Sequence, residues 1–182
     1  MNVGIELFNL KGKTALITGS SQGIGFALAH GLNQAGANII LNGRNKEKLE
    51  IAAKKLSGKG EIHQLCFDVT DHKETKDVID NYRNHFGAID ILVNNAGMQH
   101  RTALEDFPPE MFEQLLRTNV SSVFNVSQAI VKHMIKRGSG KIINIASAQT
   151  LLARPGIAPY TATKGAVGNL TKGMATDWAK YG

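Results

Sequence analysis

Thr14-Ala15-Leu16-Ile17-Thr18-Gly19-Ser20-Ser21-Gln22-Gly23-Ile24-Gly25 is the stretch whose reading decides the fold. Its first four residues are a short apolar run of the kind that makes a buried strand, and the glycines at 19, 23 and 25 turn the chain sharply. From Ile24 to Gln34 the pattern changes to a helical period, ended by Ala35-Gly36. A strand that turns through glycine into a helix aims backbone N–H groups and the helix dipole at one point, where a pyrophosphate is attracted. Gly19, Ser21, Gln22, Gly23, Ile24 and Gly25 are therefore candidate dinucleotide-binding residues. Such glycines also occur in plain strand-to-helix turns, but their place directly after the first strand favours binding.

Outward from this unit the alternation repeats. Asn38 to Leu41 reads as a strand, Lys46 to Leu56 as a helix with Leu49, Ala52, Ala53 and Leu56 on one face, and Ile62 to Phe67 as a strand. A helix from Asp71 to His85 leads to Ile89-Asp90-Ile91-Leu92-Val93, nearly continuous and apolar, as strands buried on both faces are. A helical pattern covers Glu110 to Lys136 with a break near Asn119, a strand covers Lys141 to Ala146, and a last helix starts near Pro159. This order predicts an α/β fold, a Rossmann-like doubly wound parallel sheet with helices on both faces, and one dinucleotide-binding and catalytic domain over residues 1–182. The last helix stops at Gly182 with no further strand, so the sheet is expected to lack C-terminal strands and a substrate-covering segment.

A composition of 42% hydrophobic and 20% charged residues is that of an ordinary globular chain and excludes disordered and fibrous classes. The 21 Lys and Arg against 15 Asp and Glu give a formal charge of +6. These basic residues are scattered as on solvated helix faces, without interleaved aromatics, so no nucleic acid partner is expected. No stretch nears the ~18 apolar residues of a membrane span, and residues 1–13 lack signal-peptide character. A cytoplasmic location without membrane attachment is expected. Cys66, the single cysteine, lies in Leu65-Cys66-Phe67 and is expected to be a buried strand thiol. The histidines at 30, 63, 72, 85, 100 and 133 show no paired ligand spacing, so no metal site is expected.

Cofactor choice in such folds is set about 20 residues beyond the glycines, where a carboxylate binds the ribose 2′-hydroxyl or an arginine accepts a 2′-phosphate. Asn42-Gly43-Arg44 stands there, with no carboxylate between Ala37 and Lys46. Arg44 favours NADP(H) over NAD(H), although Gln22 occupies a position where a second basic residue would help and Arg44 also fits a solvated loop charge. Asp68 and Val69, closing the third strand, are placed to meet the adenine end; for Asp68 a turn or capping role is equally open.

Four features together carry a resemblance: the glycine turn, Asn94-Asn95-Ala96-Gly97 after the fourth strand, Ser147 after the fifth, and Tyr160-Thr161-Ala162-Thr163-Lys164. In type, order and spacing they resemble the classical short-chain dehydrogenase/reductase family from about Leu10 to the end. The resemblance implies an enzyme that transfers hydride between a nicotinamide and a secondary alcohol or ketone. Tyr160 would move the proton, Lys164 would stabilise the phenolate and hold the ribose, and Ser147 would hydrogen-bond the reacting oxygen. An unassisted phenol, with a pKa of about 10, is a poor base near neutrality, and Lys164 lies one helical turn away on the same face. Asn119 matches the family asparagine that breaks a helix and binds a relay water. Asn95, Ala96 and Gly97 would form the cofactor wall and support the sheet.

The substrate is read from two loops at the C-terminal edge of the sheet. Met98-Gln99-His100-Arg101 and the segment holding Gln149 and Arg154 are polar and basic, which suits a small polyol or sugar-acid substrate held by Arg101, Gln149 and Arg154. Within the family these loops resemble those of gluconate 5-dehydrogenases, although Leu151-Leu152-Ala153 is less polar than expected there. The alternatives are a 3-oxoacyl thioester reductase and a nucleotide-binding regulator without catalysis. The helices over Glu110 to Lys136 and Pro159 to Lys180 resemble those that pack between subunits, which implies a homotetramer.

Overall fold

In the computed structural model, which describes residues 7–182, five strands form one parallel sheet: Thr14–Ile17 (β1), Asn38–Gly43 (β2), Ile62–Cys66 (β3), Ile91–Asn94 (β4) and Lys141–Asn144 (β5). Their order is β3-β2-β1-β4-β5. The chain runs from β1 outward to β3 and then crosses back to place β4 on the other side of β1. In a sheet of this kind the crevice beyond the strand ends at that reversal is where ligands bind. Ile17 pairs in register with Leu41 on one side and Val93 on the other, so the loops leaving β1, β2 and β4 emerge at one level.

Alternate residues of the strands point to opposite faces, and each face has its own core. Ala15, Ile17, Ile39 and Leu41 pack with Ala29 of the helix Gly23–Gln34 (α1) and with Leu49 and Ala52 of Lys46–Lys55 (α2). Leu16, Ile40 and Leu92 pack on the other face with Ile79 and Tyr82 of His72–Phe86 (α3). Val126, Ile130 and Met134 join that second core. Asn45 and Asp71 cap α2 and α3 by accepting the backbone N–H of Lys48 and Glu74, each at 2.8 Å.

The helical pattern expected over Glu110 to Lys136 is divided into Pro109–Leu116 (α4), a widened π turn over Arg117–Ser121, and Ser122–Arg137 (α5). The break is where Asn119 predicted it. Gly138, at φ +66°, ends α5 in the left-handed conformation that favours glycine. The last long helix is Ala158–Trp178 (α6). The expectation for Cys66 needs correction: it is in a strand, but exposed. On its face of the edge strand β3 only Ile62 reaches the first core, and Gln64 and Cys66 lie beyond it, exposed.

Candidate active site

The turn after β1 is held by buried polar side chains. Thr18 Oγ1 accepts the N–H groups of Asn95 and Ala96, both at 3.0 Å, and Asn95 Nδ2 donates back to Thr18 O and Gly19 O at 2.9 and 3.1 Å. Asn42 Oδ1 accepts Gly19 N–H at 3.2 Å, and Ser20 Oγ accepts Asn42 N–H at 3.0 Å while donating to Ile17 O at 2.7 Å. The loops after β1, β2 and β4 are thus one hydrogen-bonded unit. Two glycines permit it. Gly19 has φ +62°, and a Cβ there would stand 2.9 Å from Ala96 Cα; one on Gly25 would stand 2.5 Å from Asn95 Nδ2 and from Gly19 O.

Above this unit lies a cleft of about 270 Å³ whose lining includes Gly19, Ser21, Gln22, Arg44, Asp68, Val69 and the Asn95 to Gly97 segment. Of the predicted turn residues, Gly23, Ile24 and Gly25 are not in that lining; Ile24 is 67% exposed on the outer side of α1, and Gly25 is buried beneath the turn. Asp68 Oδ1 accepts Thr70 N–H at 2.9 Å and the Thr70 hydroxyl at 2.8 Å, while Oδ2 is 3.6 Å from Arg44 Nη1. Burial opposes the charge on Asp68, but the Thr70 donors and Arg44 outweigh it, and the carboxyl is held below its usual range.

Asn119 sits in the π turn, where Ser122 N–H reaches back five residues to Arg117 O. It is 1% exposed, and its side chain is fully engaged. Oδ1 accepts Met98 N–H at 2.8 Å, and Nδ2 donates to Met98 O at 2.9 Å and to Thr163 Oγ1 at 3.0 Å. Asn119 therefore ties the loop after β4 to the second turn of α6. Thr163 passes the tie to Tyr160 by donating to its carbonyl at 2.7 Å. On the same face of α6, Lys164 Nζ lies 5.9 Å from the Tyr160 ring centroid and donates to Ile145 O at 2.7 Å. Lys164 is buried, and burial lowers its pKa from the ordinary lysine value. Gly97 lies between the cleft and these groups: a Cβ on it would be 3.3 Å from Asn119 Oδ1 and 3.9 Å from Lys164 Nζ.

Ser147 starts a short 3-10 turn, Ala148–Thr150, in a capping box. Its Oγ accepts Gln149 N–H at 3.2 Å, which leaves its own hydrogen to donate elsewhere. Thr150 Oγ1 accepts Ser147 N–H and donates to Lys164 O at 3.2 Å, fastening the turn to α6. The side chain of Gln149 is half-buried, with Oε1 enclosed and without a hydrogen bond among the described residues. Arg101 and Arg154 are exposed, and among the described residues neither makes a hydrogen bond or ion pair. Thr102 N–H bonds Gly156 O at 3.3 Å, joining the two loops that carry them. Among the described residues no group of three His, Cys, Asp or Glu is arranged to hold a metal ion, and no helix is long and apolar enough to cross a membrane.

The family model described as short chain dehydrogenase matches residues 13–182. This chain belongs to that family. It is an oxidoreductase that acts on CH–OH groups and binds a nicotinamide cofactor. The dehydrogenase is 53% identical over 178 residues to a gluconate 5-dehydrogenase of Gluconobacter oxydans, covering 97% of this chain and 70% of the relative. It is 45% identical over 177 residues to a 5-keto-D-gluconate 5-reductase of Escherichia coli, with coverage of 97% and 70%. A crystal structure of a gluconate 5-dehydrogenase from Burkholderia cenocepacia, in complex with NADP and tartrate, superposes with a TM-score of 0.94 at 52% identity, covering 98% of this chain and 71% of that one.

Several residues that organise this dehydrogenase's cleft escaped the sequence reading. Thr18, Ser20 and Asn42 have the one visible signal, polar side chains at the ends of otherwise apolar strands. Thr70 has a local one, the Asp68-x-Thr70 spacing of a turn, but Thr150 and Thr163 have none, since a threonine in a turn or helix does not reveal the partner it finds across the fold. The small size of Gly168 is likewise explained only in three dimensions, because a Cβ there would stand 2.5 Å from Thr150 Cγ2.

Proposed function

We propose that this dehydrogenase interconverts gluconate and 5-ketogluconate and uses NADP(H) in preference to NAD(H). The observation that carries the substrate reading is the pair of uncommitted arginines, Arg101 and Arg154, on two loops joined by the Thr102–Gly156 bond. Two guanidinium groups free of protein partners suit a carboxylate, and the half-buried Gln149 amide, uncommitted among the described residues, suits a sugar hydroxyl. The relatives named for gluconate and 5-ketogluconate support it, as does tartrate, a hydroxylated dicarboxylate, in the Burkholderia complex.

The residues present fit a dinucleotide: Gly19, Ser21 and Gln22 line the cleft beside the start of α1, and the bare Gly19 and Gly25 let that turn pack directly on Ala96 and Asn95. The bound nicotinamide supplies or accepts the hydride. In the direction of reduction, Tyr160 Oη gives its proton to the substrate oxygen as negative charge develops there. Ser147 Oγ, oriented by the Gln149 N–H it accepts, donates a hydrogen bond to the same oxygen. Lys164, anchored on Ile145 O, stabilises the phenolate left behind. With both polar ends of its side chain committed, Asn119 acts by position, and the widened backbone turn around it is left to hold a relay water. Arg44, beyond Gly43, would take the 2′-phosphate.

A 3-oxoacyl thioester reductase is the second reading, favoured by Leu151 and Leu152, which are 90% and 62% exposed beside Ser147. We also propose a homotetramer, with Phe112 of α4 and Phe124 of α5, 36% and 45% exposed, in its interfaces. Light scattering that shows only monomer would remove the assembly. For the substrate, kcat/KM for 5-ketogluconate with NADPH should exceed that for acetoacetyl thioesters. Arg154→Ala should raise KM for the sugar acid by roughly 10-fold or more, the scale of a lost charge-assisted hydrogen bond, and leave an uncharged ketone little changed. Equal effects on both substrates would mean that Arg154 does not read the carboxylate.

A further inference from the structure

We propose that Asp68 sets how strongly the cleft discriminates between a phosphorylated and an unphosphorylated adenosine ribose, as a fixed negative charge opposed to Arg44. The proposal rests on the reading that Arg44 takes the 2′-phosphate. Arg44 and Asp68 face each other across the mouth of the cleft, Nη1 to Oδ2 at 3.6 Å, with side chains 75% and 34% exposed. Their positions are fixed by the backbone beneath. Phe67 N–H bonds Gly43 O at 3.2 Å, and Asn42 Nδ2 donates to Leu65 O and Phe67 O, both at 3.2 Å, so the ends of β2 and β3 move as one. Thr70 pins Asp68 through two bonds to Oδ1, which keeps Oδ2 on the cleft side.

On its other side Arg44 lines an open recess shared with Ser21, Gln22, Asn45 and Lys48. That recess has a cation in Lys48 and no carboxylate, so it is the side on which a phosphate docks. A guanidinium has five N–H donors, enough to face Asp68 and the phosphate at once. Asp68 then lies roughly 7 Å from the phosphate, the width of a guanidinium plus two charge-assisted contacts.

Two effects of opposite sign follow. Asp68 holds Arg44 in place, which favours the phosphate, and it repels the phosphate directly. The first is weak, because an exposed ion pair at this distance restrains a long side chain little. The second acts between two charges that are both held in place. Repulsion wins. Asp68 therefore weakens NADP(H) relative to NAD(H) and keeps the unphosphorylated cofactor usable. Any contact between Asp68 and the adenine is common to both cofactors and cancels in the ratio of their affinities.

The test is a fluorescence titration of NADPH and of NADH into the wild-type chain, Asp68→Asn, Asp68→Ser, Asp68→Glu and Arg44→Ala, at low and high salt. Both neutral variants should raise Kd(NADH)/Kd(NADPH) roughly 3- to 10-fold at low salt, mainly by tightening NADPH, with a smaller rise at high salt. Asp68→Glu, which keeps the charge, should stay at or below the wild-type ratio. An unchanged or lowered ratio in the neutral variants overturns the proposal, as does a rise that persists unaltered at high salt. An Arg44→Ala ratio equal to wild type is a different failure: it removes the reading of Arg44 itself.

Discussion

At the turn after β1, Thr18, Ser20 and Asn42 are at most 2% exposed, and each makes two or more hydrogen bonds that join three loops. At the loops after β4 and β5 the situation is reversed: Leu151 is 90% exposed, Arg101 and Arg154 contact nothing polar among the described residues, and one backbone bond, Thr102 to Gly156, joins the loops. Both regions lie at the same edge of the same sheet. The difference suits the two recognition tasks proposed for them. A pyrophosphate is bound mainly by backbone N–H groups, whose directions must be set before it arrives, and that requires a rigid, internally satisfied turn. A particular substrate is selected by side chains, which need partners left free for it.

The largest expected effect falls where the two regions meet. Tyr160→Phe should lower turnover by at least ~10²-fold with cofactor affinity retained, as measured by steady-state rates and NADPH titration, because only the transferable proton is removed. Lys164→Ala should reduce both quantities, since it faces Tyr160 on one side and Gly97 of the cofactor wall on the other. Normal turnover in Tyr160→Phe would take it out of the mechanism.

Next in size is a direct contrast between the regions. Gly25→Ala forces a methyl against Asn95 and the Gly19 carbonyl, and should destabilise the fold by about 1–3 kcal/mol and weaken both NADPH and NADH. Leu151→Ala, at an exposed position, should change stability by no more than about 0.5 kcal/mol. Similar melting shifts for the two variants would break the comparison. A smaller effect is expected from Gly43→Asp, because a Cβ there meets only ordinary contacts, 3.6 Å from Leu49 Cδ2 and Ser21 Oγ. It should shift preference toward NADH several-fold by repelling a 2′-phosphate and accepting from a 2′-hydroxyl. A wild type that already prefers NADH would defeat the Arg44 argument.

The smallest effect lies in α3, where Tyr82 packs against His63 and Phe86. Burial, with the charge of Glu61, pushes the Tyr82 phenol up to about 12. Its folded value exceeds the unfolded value of about 10, so its contribution to stability is complete below pH ~10 and is lost as pH rises through about 12. In an alkaline titration followed by phenolate absorbance, Tyr82→Phe should remove a late step near pH 12. If the late step survives in that variant, Tyr82 is not shielded.

Much of the site was legible because its chemistry depends on spacing along one element or on the end of a strand. Tyr160 and Lys164 are a turn apart on α6, and Asn119 lies at the break its pattern predicted. Other features were not legible because they depend on what lies across the fold. Leu65-Cys66-Phe67 has the apolar character of a buried strand, but β3 is an edge, and no second-core or first-core contact covers Cys66. The reading of Asn119 as a water ligand gave no hint that its amide would be used up by Met98 and Thr163. Nor could two charges 24 positions apart, Arg44 and Asp68, be paired before the register of β2 and β3 was known.

The parallel α/β architecture, the glycine turn and the residue types able to carry hydride chemistry could be read from the chain alone, because strand and helix periods and the need for a left-handed or uncrowded glycine are local properties. The packed fold sets which polar atoms are committed and which remain free: Asn119 is taken up by Met98 and Thr163 and Asp68 is paired with Arg44, whereas Arg101 and Arg154 are left open. That division depends on strand order and register, which bring residues from distant segments within hydrogen-bond reach, and no local pattern records it.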